Sequence, residues 1–439
     1  MKLDFLKKKI LGNKEVKNAG WLIGGKVVQM LLSLVVGALS ARYLGPSNYG
    51  LVGYGTTFVS FFSSFCTLGL NSVIIKDFID HPDEEGEALG SSIALRIISS
   101  LASSVMIIGI VSVLDRGEPL TIAVVALSSA SLVFHAFNSI NYWFQKQYKS
   151  KITAIATFIA YAATSAYKII LLILGMDVKW FAFANSVDYI VLSVFLLLAY
   201  KKHNGPAMSF SWEKGKSLLG RSYHYILSGM MVAIYGHTDK FMLKQMLDEA
   251  AVGYYTVGMV ICNMWVFVLI AIIDSIHPTI MTLHKTDKAA YERKNRQLFA
   301  IVFYASVFVS LMICLFGDLA IYILYGEAYK PAAAPLKIIT WYTAFSYLGA
   351  ARNAWIVCEN KQKYLKYMYG GAAFSNVLFN VLFIPWLGAS GAALASLLTQ
   401  VLSSIVLPYC IKDLRPSAKL MLEAIFLKDL WSKSGKKTR

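Results

Sequence analysis

The chain has 439 residues, of which 57% are hydrophobic and 15% are charged, and its mean hydropathy is +0.55. Soluble domains are about half apolar and about a quarter charged, so this composition excludes a soluble globular protein. The 25 Phe, 25 Tyr and 9 Trp residues exclude a disordered chain. The remaining class is a polytopic α-helical membrane protein.

The chain carries 42 Lys and Arg residues against 25 Asp and Glu, a net charge of +17. In a soluble protein this excess would indicate nucleic acid, but in a membrane protein it is typical of cytoplasmic loops. No nucleic-acid partner is therefore predicted. The five Cys residues include no CxxC pair, which argues against a disulfide framework or a zinc site. Phe210 replaces the first glycine that a P-loop ending at Ser217 requires, and no cofactor is predicted.

Apolar runs predict twelve membrane-spanning helices. In chain order they are residues 18–43, 50–75, 91–114, 120–144, 152–174, 180–199, 223–246, 254–278, 299–317, 336–357, 366–387 and 391–411.

The distribution of basic residues predicts the orientation of these spans. With the N-terminus inside, 31 Lys and Arg residues fall in inner segments and five in outer segments or outer helix ends. Positive residues accumulate on the cytoplasmic side, so both termini are predicted to be cytoplasmic.

The two halves of the chain carry similar segments. Residues 44–50 follow the first predicted span, and residues 247–253 follow the seventh. Asn141-Tyr142-Trp143 ends the fourth span, and Asn353-Ala354-Trp355 ends the tenth. This predicts two six-helix lobes related by an axis along the membrane normal. The predicted domains are an N-terminal lobe (1–199), a cytoplasmic linker (200–222), a C-terminal lobe (223–411) and a basic cytoplasmic tail (412–439).

Charged residues inside the spans are the main candidates for function, because they are costly in a membrane and usually face a cavity or a partner. The cations are candidates for a cationic cavity that binds an anionic substrate: Lys26, Arg96, Lys168, Lys240 and Arg352. The anions are candidates for ion coupling or for contacts between lobes: Asp188, Asp239 and Asp274.

Each of these charges also has a structural interpretation. Arg96 is near an inner end and could extend to the interface, as arginine often does. Lys168 could pair with Asp188, Asp274 could cap or pair locally, and Asp239 could pair with a basic residue of another span. The many Tyr and Trp residues at span ends, among them Tyr54, Trp143, Tyr325, Tyr329 and Trp355, are predicted to form an interfacial belt.

Three segments carry a resemblance to a known family. They are residues 17–21 with 41–51 (KNAGW and ARYLGPSNYGL), residues 239–243 with 251–255 (DKFML and AVGYY), and residues 325–329 (YGEAY). Together they resemble Wzx-type polysaccharide flippases of the multidrug/oligosaccharidyl-lipid/polysaccharide (MOP) exporter superfamily. The resemblance extends over nearly the whole chain and includes the number of spans and the duplication.

The resemblance implies an all-α membrane protein, similar to multidrug (MATE) exporters, whose two six-helix lobes open alternately on either side. The resemblance also implies that the protein is a flippase and not an enzyme. Such a flippase moves undecaprenyl-pyrophosphate-linked oligosaccharides across the bacterial cytoplasmic (inner) membrane. The oligosaccharides are used for O-antigen, capsule or exopolysaccharide synthesis. Two alternatives are a drug or cation antiporter, which favours an acidic cavity, and a membrane glycan polymerase or glycosyltransferase, for which the outer loops are too short.

The expected partners are the lipid-linked oligosaccharide, membrane lipids and a polysaccharide polymerase. Two energy sources are expected alternatives: Asp239 or Asp188 could carry a proton (H+) or Na+, or the membrane potential could act on the charged substrate.

Overall fold

The protein is all-α in the part of the chain that the structure describes. This computed structural model describes the backbone of residues 14–428 and the side chains of residues 29–428, except those of residues 72, 227, 228 and 235. No β-strand occurs in these residues.

The α-helices are α1 (Lys14–Thr67), α2 (Leu70–Asp80), α3 (Glu85–Leu114), α4 (Pro119–Ser129), α5 (Ser131–His135), α6 (Ser139–Lys146), α7 (Ser150–Ile173), α8 (Val178–Lys202), α9 (Trp212–Met246), α10 (Glu249–Asn263), α11 (Val266–Thr286), α12 (Lys288–Tyr325), α13 (Ala333–Ile339), α14 (Tyr342–Ala351), α15 (Asn353–Cys358), α16 (Leu365–Leu387), α17 (Ala389–Val401), α18 (Leu407–Cys410) and α19 (Arg415–Ile425). A π-helical turn, Leu402–Val406, joins α17 to α18.

Nine helices of the described region are long and apolar enough to cross a membrane, compared with twelve predicted spans. The first predicted span and most of the second are continuous in α1, which is kinked at Gly45 (φ 71°) just before Pro46, and the last residues of the second span begin α2. The seventh span lies in α9, which is too polar to qualify, and the tenth is divided among α13, α14 and α15. These three differences explain why nine helices qualify although twelve spans are predicted. The count of twelve spans stays a prediction.

The chain divides into two compact units. Among the described residues, the first comprises those up to Leu44 together with Tyr54–Met230, and the second comprises Gly45–Gly53 together with those from Met231 onward. In the first unit, Phe78, Leu89 and Trp143 belong to one apolar core. In the second unit, Phe299 and Trp355 belong to another.

The segment predicted to link the lobes packs within the first unit. Ser209 donates its backbone N–H to the carbonyl of Gly86 at 3.3 Å, and Ser91 Oγ accepts the N–H of Ser211 at 2.9 Å. A β-carbon at Gly90 would lie 2.3 Å from the carbonyl oxygen of Ser209, so the two backbones touch. The change of unit falls further along, within α9.

Part of the predicted tail is a packed amphipathic helix of the second unit. In α19, Ala418, Met421 and Ala424 are buried, and Arg296 donates to Glu423 at 2.8 Å. Residues 429–439 of the predicted tail lie outside the described region.

Several aromatic residues expected in an interfacial belt are instead buried. Tyr54, Tyr325 and Tyr329 are at most 1% exposed, and Trp143 and Trp355 lie in the two apolar cores. Their rings contribute large apolar areas to packing between helices. For these residues the belt prediction is wrong.

Candidate functional site

A buried carboxylate in the second unit is the centre of a polar cluster. Asp239 lies in α9 and is 4% exposed. Its Oδ1 accepts hydrogen bonds from the amides of Asn380 at 2.7 Å and Asn376 at 3.0 Å. Its Oδ2 accepts from the hydroxyls of Tyr255 and Ser396. Four helices, α9, α10, α16 and α17, therefore each contribute at least one side chain to this Asp239 cluster.

All four donors to Asp239 are neutral. A buried carboxylate is stable only when its oxygen atoms are hydrogen-bonded, and here both oxygens accept two bonds each. The basic partner considered for Asp239 from the sequence is therefore not what stabilises it. Lys240, its neighbour, is half-buried and makes no ion pair in the described residues.

The candidates from the sequence were all charged residues. They therefore did not include the four neutral donors to Asp239, which are Asn376, Asn380, Tyr255 and Ser396. Asn376 and Asn380 are four residues apart in an apolar span, a spacing that places both amides on one helix face. Polar amides are costly inside a membrane, so this pair was the signal that could have indicated the cluster.

Asp188 and Lys168 of the first unit lie on neighbouring helices. Both are half-buried, and Asp188 Oδ1 accepts a hydrogen bond from Thr164 at 3.3 Å. The two charges interact electrostatically, but no salt bridge within 4.0 Å joins them in the described residues. The pairing considered from the sequence is thus a through-space interaction and not a direct ion pair.

Arg96 is fully buried in the first unit. Its Nη2 donates to Asn71 Oδ1 at 2.9 Å, and its guanidinium carbon lies 5.8 Å from the centre of the Tyr142 ring. A side chain with no exposed surface cannot extend to the interface, so that interpretation of Arg96 is wrong.

Arg352 of the second unit is also buried, at 3% exposure. It lies between α14 and α15, beside a cavity of about 210 Å³. Its Nη1 donates to the backbone oxygen of Ser404 at 2.8 Å. Among the predicted cations whose side chains are described, it alone lines this cavity.

The remaining two candidates, Asp274 and Lys26, lie in α11 and α1. Asp274 is exposed on α11 and makes neither a hydrogen bond nor an ion pair within the described region. Lys26 is part of α1, but its side chain lies outside the described residues. The candidates are thus distributed over both units, and of these Asp239 is the centre of a polar cluster and Arg352 lies beside a cavity.

Comparison with known families identifies the class of protein. A family model described as "Polysaccharide biosynthesis protein" matches residues 39–334. The chain belongs to this polysaccharide biosynthesis protein family.

This polysaccharide biosynthesis protein is also similar to a curated relative. It is 22% identical over 409 residues to the "Probable flippase AglR" of Haloferax volcanii, and the alignment covers 90% of this chain and 83% of that protein.

Two kinds of solved structure share the fold of this polysaccharide biosynthesis protein. The lipid II flippase MurJ, in an inward closed conformation, has a TM-score of 0.74 at 14% identity, with 93% of this chain and 91% of that chain covered. An inward-facing MATE transporter of the MOP superfamily has a TM-score of 0.70 at 16% identity, with 92% and 96% covered.

These similarities confirm the resemblance to MOP-superfamily flippases that the sequence motifs carry. They confirm the all-α transporter fold of a multi-pass membrane protein and indicate a transporter rather than an enzyme. The protein is therefore a member of a polysaccharide biosynthesis family with the fold of these membrane transporters.

Proposed function

We propose that the protein moves undecaprenyl-pyrophosphate-linked oligosaccharides from the inner to the outer leaflet of the bacterial cytoplasmic membrane. The glycan would serve O-antigen, capsule or exopolysaccharide synthesis. The observation that carries this proposal is the match of residues 39–334 to a polysaccharide biosynthesis family in a chain with the fold of a lipid flippase.

The chemistry of such a substrate explains why a transporter of this kind needs no catalytic group. The lipid tail is soluble in the bilayer, so only the pyrophosphate and the glycan need a polar path. Two six-helix lobes, with the linker and the cytoplasmic termini predicted from the sequence, would rock to expose that path to each side in turn. Cationic side chains would stabilise the pyrophosphate where water is scarce.

Asp239 is the residue we propose for ion coupling. The cluster around it contains oxygen atoms from one carboxylate, two amides and two hydroxyls, the type of donor that Na+ and other hard cations prefer. Asn380 Oδ1 is buried without a hydrogen-bond partner. Rotation of the two amides would turn their oxygens toward an ion beside Asp239, and protonation of the carboxylate is the other way to neutralise the cluster.

Reconstitution tests the transport proposal. Purified protein in liposomes should move an undecaprenyl-pyrophosphate oligosaccharide between leaflets, and deletion of the gene should stop surface polysaccharide production in the host. Lys26→Ala and Lys240→Ala should each reduce export, and Lys240→Arg should retain more activity because the charge remains. Lys330, which is 79% exposed, supplies the matched control, since Lys330→Ala should export normally.

A drug or cation antiporter is the second candidate, favoured by the MATE transporter with a TM-score of 0.70. The same liposomes distinguish the two. Proton- or sodium-driven uptake of a cationic dye, with no movement of the lipid-linked glycan, would support the antiporter and reject the flippase proposal.

A polysaccharide polymerase is proposed as a partner because the translocated units need to be joined on the outer side.

A further inference from the structure

The cavity beside Arg352 contains an incompletely paired cation. A guanidinium group has five N–H donors. Besides the bond from Nη1 to Ser404, the Nη2 of Arg352 reaches only the thioether sulfur of Met368, at 3.9 Å. Its Nε has no hydrogen-bond partner. Within the described region no carboxylate pairs with this buried charge.

The walls of the cavity offer neutral polar groups in place of a counter-ion. The cavity is lined by hydroxyl and amide side chains, among them Tyr342, Ser346, Asn353, Tyr369, Gln400 and Ser403. None of its lining residues in the described chain is acidic. Hydroxyl and amide donors together with one guanidinium match the oxygen atoms of an anion.

The backbone is irregular on two sides of this cavity. The predicted tenth span is interrupted at Arg352, between α14 and α15. The π-helical turn Leu402–Val406 supplies Ser403 and Ser404, and the carbonyl of Ser404 holds Arg352. Single π-helical turns often occur at functional sites, and irregular backbone at membrane depth is tolerated where it lines a cavity.

We infer that this cavity binds a phosphate-bearing anion, with Arg352 as its charge partner. Its volume of about 210 Å³ is several times the roughly 30 Å³ that one water molecule occupies, so it has room for a group of several heavy atoms. The planar guanidinium matches phosphate geometry better than a lysine ammonium does. An anion would also relieve the cost of an unpaired cation inside a membrane protein.

Two sources of phosphate share this chemistry: the pyrophosphate of the transported lipid and the headgroup of an anionic phospholipid. Assignment to the transported lipid rests on the proposed function. The phosphate site itself rests only on the cavity and its residues.

Binding of inorganic pyrophosphate to the purified full-length protein, measured by calorimetry, tests the site. Binding should be at least tenfold weaker in Arg352→Gln and intermediate in Arg352→Lys. Ser346→Leu keeps the guanidinium but fills the cavity, and should also lose binding; it replaces Arg352→Gln if that variant does not fold. Arg296→Gln is the matched control, because it removes a half-buried arginine of the same unit that lies outside the cavity and pairs with Glu423, and it should bind as the wild type does.

The inference would be overturned if the wild type did not bind pyrophosphate. It would also be overturned if Arg352→Gln and Ser346→Leu bound pyrophosphate as tightly as the wild type does. Competition then identifies the source. Displacement by undecaprenyl pyrophosphate indicates the transported lipid, and displacement only by phosphatidylglycerol, compared with phosphatidylcholine, indicates a lipid headgroup; both support a phosphate site.

The two proposals fail separately. If pyrophosphate binds at Arg352 but reconstituted protein moves no lipid-linked glycan, the proposed function alone is wrong. If glycan transport is intact and pyrophosphate binding does not depend on Arg352, the phosphate site alone is wrong.

Discussion

Gly50 and Gly253 bring two helix backbones of the second unit into direct contact. A β-carbon at Gly50 would lie 2.9 Å from the backbone nitrogen of Gly253 and 1.8 Å from the carbonyl oxygen of Glu249. A β-carbon at Gly253 would lie 2.2 Å from the carbonyl oxygen of Pro46. Both glycines end the repeated segments noted in the sequence, so part of that repetition corresponds to one helix crossing.

Gly50→Ala and Gly253→Ala should each destabilise the protein. The added methyl group would meet backbone atoms that cannot move aside, and such overpacking costs about 1–3 kcal/mol or more. Thermal unfolding in detergent measures the loss. Gly109→Ala is the control, since nothing lies within 4 Å of a β-carbon there and the helix should tolerate alanine. Equal melting temperatures for all three variants would contradict the close crossing.

The stability of the first unit should depend on pH through Asp77. This carboxylate is 1% exposed and pairs with Lys214 at 2.8 Å and with Arg221. Burial alone would raise the pKa of Asp77, but hydrogen bonds and charge from Arg221 and Lys214 hold that pKa below its usual value. The pairing therefore stabilises the fold above the unfolded pKa of about 3.9, and this contribution is lost as pH falls through the lower folded pKa.

Asp77→Asn should accordingly lower the free energy of unfolding by about 1–3 kcal/mol near neutral pH, with a smaller difference in acid. Unfolding of the two proteins between about pH 3 and pH 7 checks this. Asp80→Asn, an exposed change on the same helix, should have little effect at any pH. A constant difference across the range would show that the charge of Asp77 is not responsible.

Asp239→Asn should abolish the response of transport to an ion gradient while leaving an inserted protein with moderately reduced stability. Asparagine keeps the size of the side chain, but its NH2 group replaces one carboxylate oxygen that accepts two hydrogen bonds. The N–H donors of this group would then face the donors of the neighbouring side chains. Gradient-driven glycan transport and thermal stability, measured on the same preparation, separate the two effects.

Two variants serve as controls for Asp239. Ser396→Ala removes one donor and keeps the carboxylate, so gradient dependence should remain. Asp274→Asn removes an exposed carboxylate outside the cluster and should leave coupling unchanged. A normal gradient response in Asp239→Asn would limit Asp239 to a structural role, and an equal loss in Asp274→Asn would argue against the cluster as the specific site.

Topology can be tested by labelling single cysteines in a background without the five native ones. Because basic residues favour the cytoplasmic side, positions in 318–335 should react with a membrane-impermeant reagent from outside, and positions in 279–298 should not. Labelling of 279–298 from outside in intact cells would reject the predicted orientation, and labelling after lysis confirms that each position is reactive.

The sequence by itself determined the class and the fold family of this protein, and through its resemblance it predicted a transport function. A chain that is 57% hydrophobic with few charges has to form apolar helices, and both this composition and the motif at 41–51 are local properties that need no knowledge of contacts. It also drew attention to Asp239 and Arg352, because a charge within an apolar run is visible without a structure.

Only the tertiary structure decided what surrounds those charges. Asp239 is paired by neutral groups from residues as distant as Ser396, and Arg352 lies beside a cavity formed by α14 to α17 and the π-helical turn. Hydropathy describes how strongly a residue prefers an apolar environment to water, but not which residues it contacts in the fold. It could therefore not distinguish the buried Arg96 from an arginine at the membrane interface. Partner choice depends on helix rotation and crossing, which arise when side chains from distant segments pack together.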